Sequence, residues 1–305
     1  MARYLLVRTG QSLVTILLVV LVVFAISRVA GDPITLLAGF DYSQEDLEEI
    51  RTELGLSDPL PVQFARFVGD AVQGDFGDSF RTDRPAMEEV LNRAPATFEL
   101  AFVSLLISLV ISVPLGVVAA MARGSKADAL ARLLALIGQA APSFWLGLIL
   151  IFFFSVRLGW FPTGGREGVV SLVLPAFTLG TAAAASIMRL TRSAMLDVLN
   201  RDYITLARTK GMPERTVILK HAFRNAMIPV LTILGLRIGT LLAGSVIVET
   251  IFAWPGVGRL IIQAIAVSDY PVVQGAILLI ATTVVLANFL TDLLYMVIDP
   301  RIRYA

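Results

Sequence analysis

Residues 201–229 read RDYITLARTKGMPERTVILKHAFRNAMIP, a charged stretch that lies between two long apolar runs. Eight Lys or Arg, three acidic residues and the only histidine of the chain fall between positions 189 and 224. Asp202 suits a helix N-cap, Gly211 suits the left-handed residue that ends a helix, and Pro213 suits the first position of the next. The stretch therefore predicts two short rigid helices that meet at a glycine elbow. An amphipathic hairpin resting on anionic lipid is the alternative.

The composition of the whole chain is that of a membrane protein. Its 305 residues are 56% hydrophobic and 16% charged, and the mean hydropathy is +0.79. A soluble domain is about 25% charged, so this chain has too little polar surface to cover a soluble core. The net charge of +1 gives no indication of a nucleic-acid partner, and the lack of cysteine excludes disulfides and thiolate metal sites.

The fold class predicted is an all-α polytopic membrane protein with six transmembrane helices. Each span needs about 20 mostly apolar residues, and such runs lie near 5–30, 97–122, 133–157, 171–191, 228–250 and 272–297. No small-residue cleavage site follows the first run, so we expect an uncleaved span rather than a signal peptide. If both termini are cytoplasmic, the inside segments hold fifteen basic residues and the outside segments eight, which favours that orientation.

Four regions follow from these spans. We predict a first transmembrane helix at 1–30, an external acidic helical subdomain at 31–95, a five-helix core at 96–298 that includes the cytoplasmic segment 200–226, and a cytoplasmic tail at 299–305. The external region should contain three helices: one that begins at Ser43, an amphipathic one after Pro61, and a short one from Pro85 to Arg93.

The external region carries 14 acidic and 5 basic residues. This charge is typical of a solvated surface, and it is also suited to docking a positively charged partner or guiding a solute. The acidic residues that would carry such docking are Asp41, Glu45, Asp46, Glu48 and Glu49.

The sequence gives no indication of catalysis. It lacks a GxxxxGK[ST] phosphate loop, and the Gly256-Val257-Gly258 stretch lacks a third glycine, so no cofactor is expected on this chain. Arg237 and Glu249 are ionisable residues within one predicted span, about 18 Å apart along a helix. They either face a translocation path or have a structural or interfacial role. With Arg237 as a selectivity residue, a stand-alone channel or secondary transporter is a possible alternative class, and a membrane scaffold or receptor is another.

Several stretches together resemble one family. Residues 203–230 resemble the cytoplasmic EAA-type signature of type I binding-protein-dependent ABC importer permeases, in the form found in the dipeptide/oligopeptide/nickel branch and its first permease subunit. Further matching stretches are ATFELAF (96–102), PSFWLGLILIF (142–152), RLTRSAMLDVLNRDY (189–203), SVIVETIFAWPGVGRL (245–260), DPRIRY (299–304), GDP (31–33) and GDFGDSF (74–80). The sequence departs from the signature at Thr205, where the element begins with Glu, and at Arg224, where other branches close with proline.

The resemblance implies a role for the charged stretch. In this family it forms a coupling helix that fits a groove on a cytoplasmic ATPase and responds to ATP-driven closure. Ala207 and Gly211 match the third residue of the element and its glycine. The ATPase-coupling residues expected on this basis are Asp202, Tyr203, Ala207, Arg208, Lys210, Gly211 and His221. The candidate residues of the translocation path are Arg237 and Glu249.

The resemblance also implies partners and a class of solute. The expected partners are the lipid bilayer, a homologous second permease, two cytoplasmic ATPase subunits that bind ATP and Mg²⁺, and an external solute-binding protein. The chain itself would be a multi-pass permease of the cell (inner) membrane, not an enzyme, and would import di- or oligopeptides. Nickel, glutathione, opines or sugars are the alternative solutes.

Overall fold

The structure is a computed structural model that describes residues 2–29 and 57–298. These residues are almost entirely helical, and the only β-pairing among them is one antiparallel bridge between Asp78 and Pro85. The predicted helix that begins at Ser43 and the proposed acidic docking residues lie outside the described residues.

The described helices are numbered in chain order. They are α1 Ala2–Val29, α2 Leu60–Gln73, α3 Ala86–Met121, α4 Lys126–Ala140, α5 Ser143–Leu150, α6 Val170–Leu199, α7 Asp202–Thr209, α8 Glu214–Thr216, α9 Phe223–Ile251, α10 Val257–Ala266 and α11 Tyr270–Ile298. Two π-helical segments, Ile151–Arg157 and Val217–Ala222, continue α5 and α8 respectively.

Within residues 2–29 and 57–298, five helices are long and apolar enough to cross a membrane, and a sixth span results if α4 and α5 count as one. The axes of α4 and of α5 with its π-helical continuation differ by 106°. The break falls at Ala141 and Pro142, both with extended backbone, because a residue that precedes proline is disfavoured in the helical region. The predicted third span is therefore bent rather than straight.

One compact unit contains the described residues 2–29, 57–97 and 255–286. In it, Phe64 and Phe67 of α2 pack against Val20 and Val23 of α1, which confirms the amphipathic helix predicted after Pro61. The prediction of a separate short helix from Pro85 to Arg93 was wrong. Those residues begin α3, whose buried Val90 continues a face that packs against α10 and α11.

Asp269 holds the irregular segment before α3 within the same unit. Its side chain is buried and accepts hydrogen bonds from the Ser79 hydroxyl at 2.5 Å and from the Phe80 backbone N–H at 3.2 Å. The predicted turn at residues 74–80 is thereby tied to the connection between α10 and α11.

The second unit contains the described residues 98–254 and 287–298, and α6 is its central helix. A Cβ atom placed on Gly180 would lie 2.6 Å from the Ser104 carbonyl oxygen of α3, and one on Gly116 would lie 2.7 Å from Thr191 Cβ. Small residues permit this close approach. Ser104 precedes Gly116 on α3, and their respective partners Gly180 and Thr191 follow in the same order on α6. The two helices therefore run in the same direction.

Candidate functional site

The segment 200–226 forms the two helices and glycine elbow that the sequence predicts. The α7 helix ends at Thr209, and Gly211 follows with a φ of +73°, a left-handed conformation that glycine adopts without steric cost. The Gly211 N–H donates to the Arg208 carbonyl at 2.9 Å, and the Met212 N–H donates to the Ala207 carbonyl at 3.3 Å. These two bonds form a Schellman motif, which fixes the direction in which the chain leaves the helix.

Two details at the helix starts differ from the predictions. Arg201 with extended backbone occupies the N-cap of α7 without a side-chain capping hydrogen bond, and Asp202 is the first helical residue. The Asp202 carboxylate still lies in the first turn, where it complements the helix dipole. Pro213 is the N-cap residue of α8 rather than its first helical residue, and its ψ of 136° turns the chain into the new helix.

An ion pair spans the elbow. Arg208 donates hydrogen bonds from Nη2 and Nε to the two carboxylate oxygens of Glu214, at 2.7 Å and 3.2 Å. The hydrogen bonds and the charge of Glu214 raise the pKa of Arg208 above its usual value. Sequence reasoning missed this bidentate pair, although the two residues lie six positions apart on opposite sides of the glycine.

The inner face of the segment is part of a hydrophobic core. Ile204 and Ala207 of α7 are buried together with Val217, Met195 of α6 and Ala120 of α3. The other members of this core are Ala194, Ile218, Ala222 and Ala226. Since both helices of the elbow share one core with α3 and α6, the segment is anchored to the body of its unit.

The expected coupling residues differ in their exposure. Asp202, Tyr203, Arg208, Lys210 and Gly211 are exposed, and the exposed Leu206 lies beside Tyr203 on the same outer face. Ala207 faces the interior of its own chain instead. His221 is half-buried within the π-helical segment, and its Nε2 atom has no hydrogen-bond partner among the described residues.

A buried carboxylate ties α4 to α6 near this core, and sequence reasoning did not single it out. The Asp128 side chain is 1% exposed and accepts hydrogen bonds from Arg192 Nε at 2.7 Å and from Arg192 Nη2 at 2.9 Å. It also accepts the Gly124 N–H at 3.0 Å, and Arg132 lies 3.4 Å away. Planar bidentate pairing of this kind fixes geometry as well as charge. The i,i+4 spacing of Asp128 and Arg132 could have indicated their contact. No local pattern links Asp128 to Arg192, because the two residues are 64 positions apart.

The two candidate path residues lie on α9 and are not brought together. Glu249 is fully buried within the packing of its own chain, whereas Arg237 is half-buried. Their proposed contact with a translocated solute stays a prediction.

A cavity of about 290 Å³ lies between α3, α4, α5 and α6. Its lining is almost wholly apolar and includes Ile111, Leu134, Trp145, Phe177 and Met188. Nothing in this lining offers a charged solute a counter-charge. Within residues 2–29 and 57–298, no group of three His, Cys, Asp or Glu side chains could hold a metal ion.

Comparison with known proteins identifies the family. Residues 112–304 match the family model of binding-protein-dependent transport system inner membrane components, and residues 1–101 match the model of the N-terminal region of such components. The chain belongs to this family. It is therefore a multi-pass permease of a binding-protein-dependent ABC importer, as the resemblance predicted, and not a stand-alone channel.

Similar proteins agree with this placement. The chain is 45% identical to the oligopeptide transport system permease protein AppB of Bacillus subtilis (strain 168), with full coverage of both chains. It is 42% identical to the glutathione transport system permease protein GsiC of Escherichia coli (strain K12), again with full coverage of both. These relatives place this permease in the dipeptide-type branch.

The solved structures show the fold. An inward-facing structure of the MetNI methionine ABC transporter aligns with a TM-score of 0.60 and 21% identity, covering 70% of this chain and 97% of that one. The predicted type I ABC permease fold is confirmed.

Proposed function

We propose that this permease forms one half of the translocation pore of an ABC importer that takes up di- or oligopeptides delivered by an external binding protein. The observation that carries the peptide assignment is the 45% identity, from end to end, with an oligopeptide permease. A relative that is 42% identical over the same length handles glutathione, itself a small peptide, so glutathione is the second candidate. Nickel and other small solutes are alternatives that only the branch resemblance suggests.

The proposal includes the orientation and the partners. Both termini lie in the cytoplasm, which places more basic residues in the inside segments than in the outside segments. A homologous second permease completes the pore. The family resemblance assigns the binding of ATP and Mg²⁺ to two cytoplasmic ATPases, and the sequence of this chain has no phosphate loop.

The segment 200–226 is the surface that receives the movement of one ATPase. Its outer face presents the Tyr203 ring and the Leu206 side chain, which are 43% and 55% exposed. An aromatic and an aliphatic side chain surrounded by charges are typical of an interface centre with a polar rim. The Schellman motif, the Arg208–Glu214 pair and the buried core beneath make this surface rigid, so that a displacement is transmitted rather than absorbed.

Uptake by the reconstituted importer tests the solute assignment. The permease and its partner subunits are reconstituted in proteoliposomes with the binding protein. Entry of labelled tripeptide and of labelled glutathione is then measured without ATP and with ATP on either side of the membrane. We expect ATP-dependent entry of the tripeptide. Entry of glutathione alone would refute the general peptide assignment, and entry without ATP would refute the importer mechanism.

A pair of glycine variants tests the coupling role. Gly211→Val forces a β-branched residue into the left-handed region, and we expect loss of uptake and of ATPase co-purification. Gly74→Val is the matched control, because Gly74 also ends a helix with a φ of +75° and a Cβ atom at either position would meet open space. Both variants should lose similar stability. If Gly74→Val abolished ATPase binding equally, the loss would reflect misfolding and the coupling role of the elbow would be refuted.

A further inference from the structure

One face of α6 carries polar residues that its own chain leaves uncovered. Ser186, Arg189, Ser193 and Asp197 follow one another at spacings of three or four residues, which places them on one side of the helix. Arg189, Ser193 and Asp197 are exposed and Ser186 is half-buried, whereas Ile187, Met188 and Met195 on the other side are buried. We define these four residues as the polar face of α6.

This face differs from the surfaces that suit lipid. Between Leu17 and Ile26 the exposed residues of α1 are all apolar, among them Leu17, Leu21 and Val22. An ionisable side chain within a span is costly in hydrocarbon and almost always faces a bundle interior or water. The polar face of α6 is therefore unsuited to lipid contact and suited to a water-filled path.

Arg189 lies within the apolar run of α6 (171–191) and not in the loop that follows the helix. Thirty residues give α6 a length of about 45 Å, against a hydrocarbon core of about 30 Å. Arg189 lies between four and five residues beyond the midpoint of the helix, about 7 Å along its axis. Because helical side chains point back toward the N-terminus, its guanidinium reaches toward that midpoint.

Gln139 fixes the guanidinium there. Arg189 Nη1 donates a hydrogen bond to the Gln139 side-chain oxygen, at the end of α4 and two residues before the bend in the third span. Among the described residues, no carboxylate lies within ion-pair distance of Arg189, whereas its neighbour Arg192 is paired with Asp128. A guanidinium has five N–H donors, so Arg189 retains donors for a ligand, and the Gln139 amide adds two more.

We propose that the polar face of α6 lines the water-filled part of the translocation path, and that Arg189, held by Gln139, binds the carboxylate of the passing solute. A carboxylate fits because its two oxygens match the planar donors of a guanidinium, with opposite charge. The carboxylate assignment rests on the proposed peptide function, since every peptide with a free C-terminus carries this group.

Cysteine labelling tests the path. The chain has no cysteine of its own, so each single-cysteine variant reports one position. Ser186→Cys on the polar face is compared with Leu17→Cys, whose parent side chain is 51% exposed on the apolar surface of α1. In the assembled importer we expect a charged methanethiosulfonate reagent to modify Ser186→Cys at least ten times faster than Leu17→Cys, and peptide-loaded binding protein with ATP to alter that rate. Equal rates for the two variants in all nucleotide states would overturn the proposal.

Uptake kinetics test the carboxylate. A tripeptide and its C-terminal amide are supplied at concentrations that give equal occupancy of the binding protein, so that the ratio of their uptake rates reports the permease. We expect the unaltered permease to favour the acid by about 10- to 100-fold, Arg189→Lys to retain part of this preference, and Arg189→Gln to reduce the ratio to near one. A ratio near one in the unaltered permease, or a ratio unchanged by Arg189→Gln, would overturn the carboxylate role.

The two experiments separate this inference from the proposed function. If the unaltered permease takes up no peptide, the peptide assignment fails and the carboxylate role fails with it. The labelling result still decides whether the polar face of α6 lines a water-filled path.

Discussion

Replacing Gly180 by alanine should destabilise the permease, although alanine is the better helix former. Gly180 lies within α6, where alanine is favoured over glycine by about 1 kcal/mol. Against this gain stands a steric conflict with α3. The added Cβ would lie 2.6 Å from the Ser104 carbonyl oxygen and 3.4 Å from the carbonyl carbon.

The size of the conflict follows from that distance. Carbon and carbonyl oxygen approach to about 3.3 Å at closest, so α3 and α6 must separate by about 0.7 Å at this point. The obstacle is backbone, which cannot rotate away as a side chain could. Overpacking a core by one methyl costs about 1–3 kcal/mol, and the rigid neighbour favours the upper half of that range. We expect a net loss of about 1–2 kcal/mol.

Gly69→Ala provides the matched control. Gly69 lies within α2, and a Cβ atom there would have no neighbour within 4 Å, so only the gain of about 1 kcal/mol remains. The two variants should differ by about 2–3 kcal/mol. At about 2–4 °C per kcal/mol, their unfolding midpoints should differ by about 5–10 °C in opposite directions from the unaltered chain. Tryptophan fluorescence during thermal unfolding in detergent measures this. A midpoint for Gly180→Ala at or above that of Gly69→Ala would refute the reasoning.

Three further predictions concern polar contacts. Arg192→Leu leaves the buried Asp128 carboxylate without its bidentate partner, so the unfolding midpoint should fall more than in Arg66→Leu, which removes an exposed pair. Asp269→Asn weakens the hydrogen bonds to Ser79 and Phe80, and proteolysis within residues 75–85 should become about tenfold faster. Arg208→Ala removes an exposed ion pair, so the unfolding midpoint should stay nearly constant while co-purification of the ATPase decreases.

Each of these predictions has a contrary outcome. Equal midpoints for Arg192→Leu and Arg66→Leu would show that the Asp128 pair adds no more stability than a surface pair. Unchanged proteolysis of Asp269→Asn would mean that other contacts hold the segment before α3. An Arg208→Ala chain that binds ATPase normally would remove this residue from the coupling surface.

Much of the fold could be predicted because hydrophobic run length and helix-ending residues are local signals. Gly211 was placed correctly at the elbow, since glycine is favoured wherever the backbone must turn left-handed after a helix. The bend at Pro142 and the continuation of α3 through Pro95 were not predicted. Both involve a proline near a helix boundary, and neighbouring helices decide whether the chain bends or continues there.

The site residues were harder to predict, because a sequence shows where a charge lies along the chain but not which way it faces. The count of inside basic residues included Arg189, although the predicted span 171–191 reaches past it. The helix continues to Leu199, which moves Arg189 toward the middle of α6. Glu249 stood out within an apolar span, yet it is fully buried. Arg192 and Asp128 pair across 64 residues, a separation at which no local pattern links them.

The proposed coupling surface and the proposed solute contact meet on one helix. Met195 of α6 belongs to the core that underlies α7, and Arg189 lies six residues earlier on the same helix, about 9 Å along its axis. The only proline of α6 is Pro175, which lies on the far side of Arg189, so no helix-breaking residue separates the two. Between them, the Asp128–Arg192 pair joins α4 to α6, and α4 also carries Gln139. A displacement of α7 would therefore move Arg189 and Gln139 together, which changes the position of the carboxylate contact while preserving its geometry.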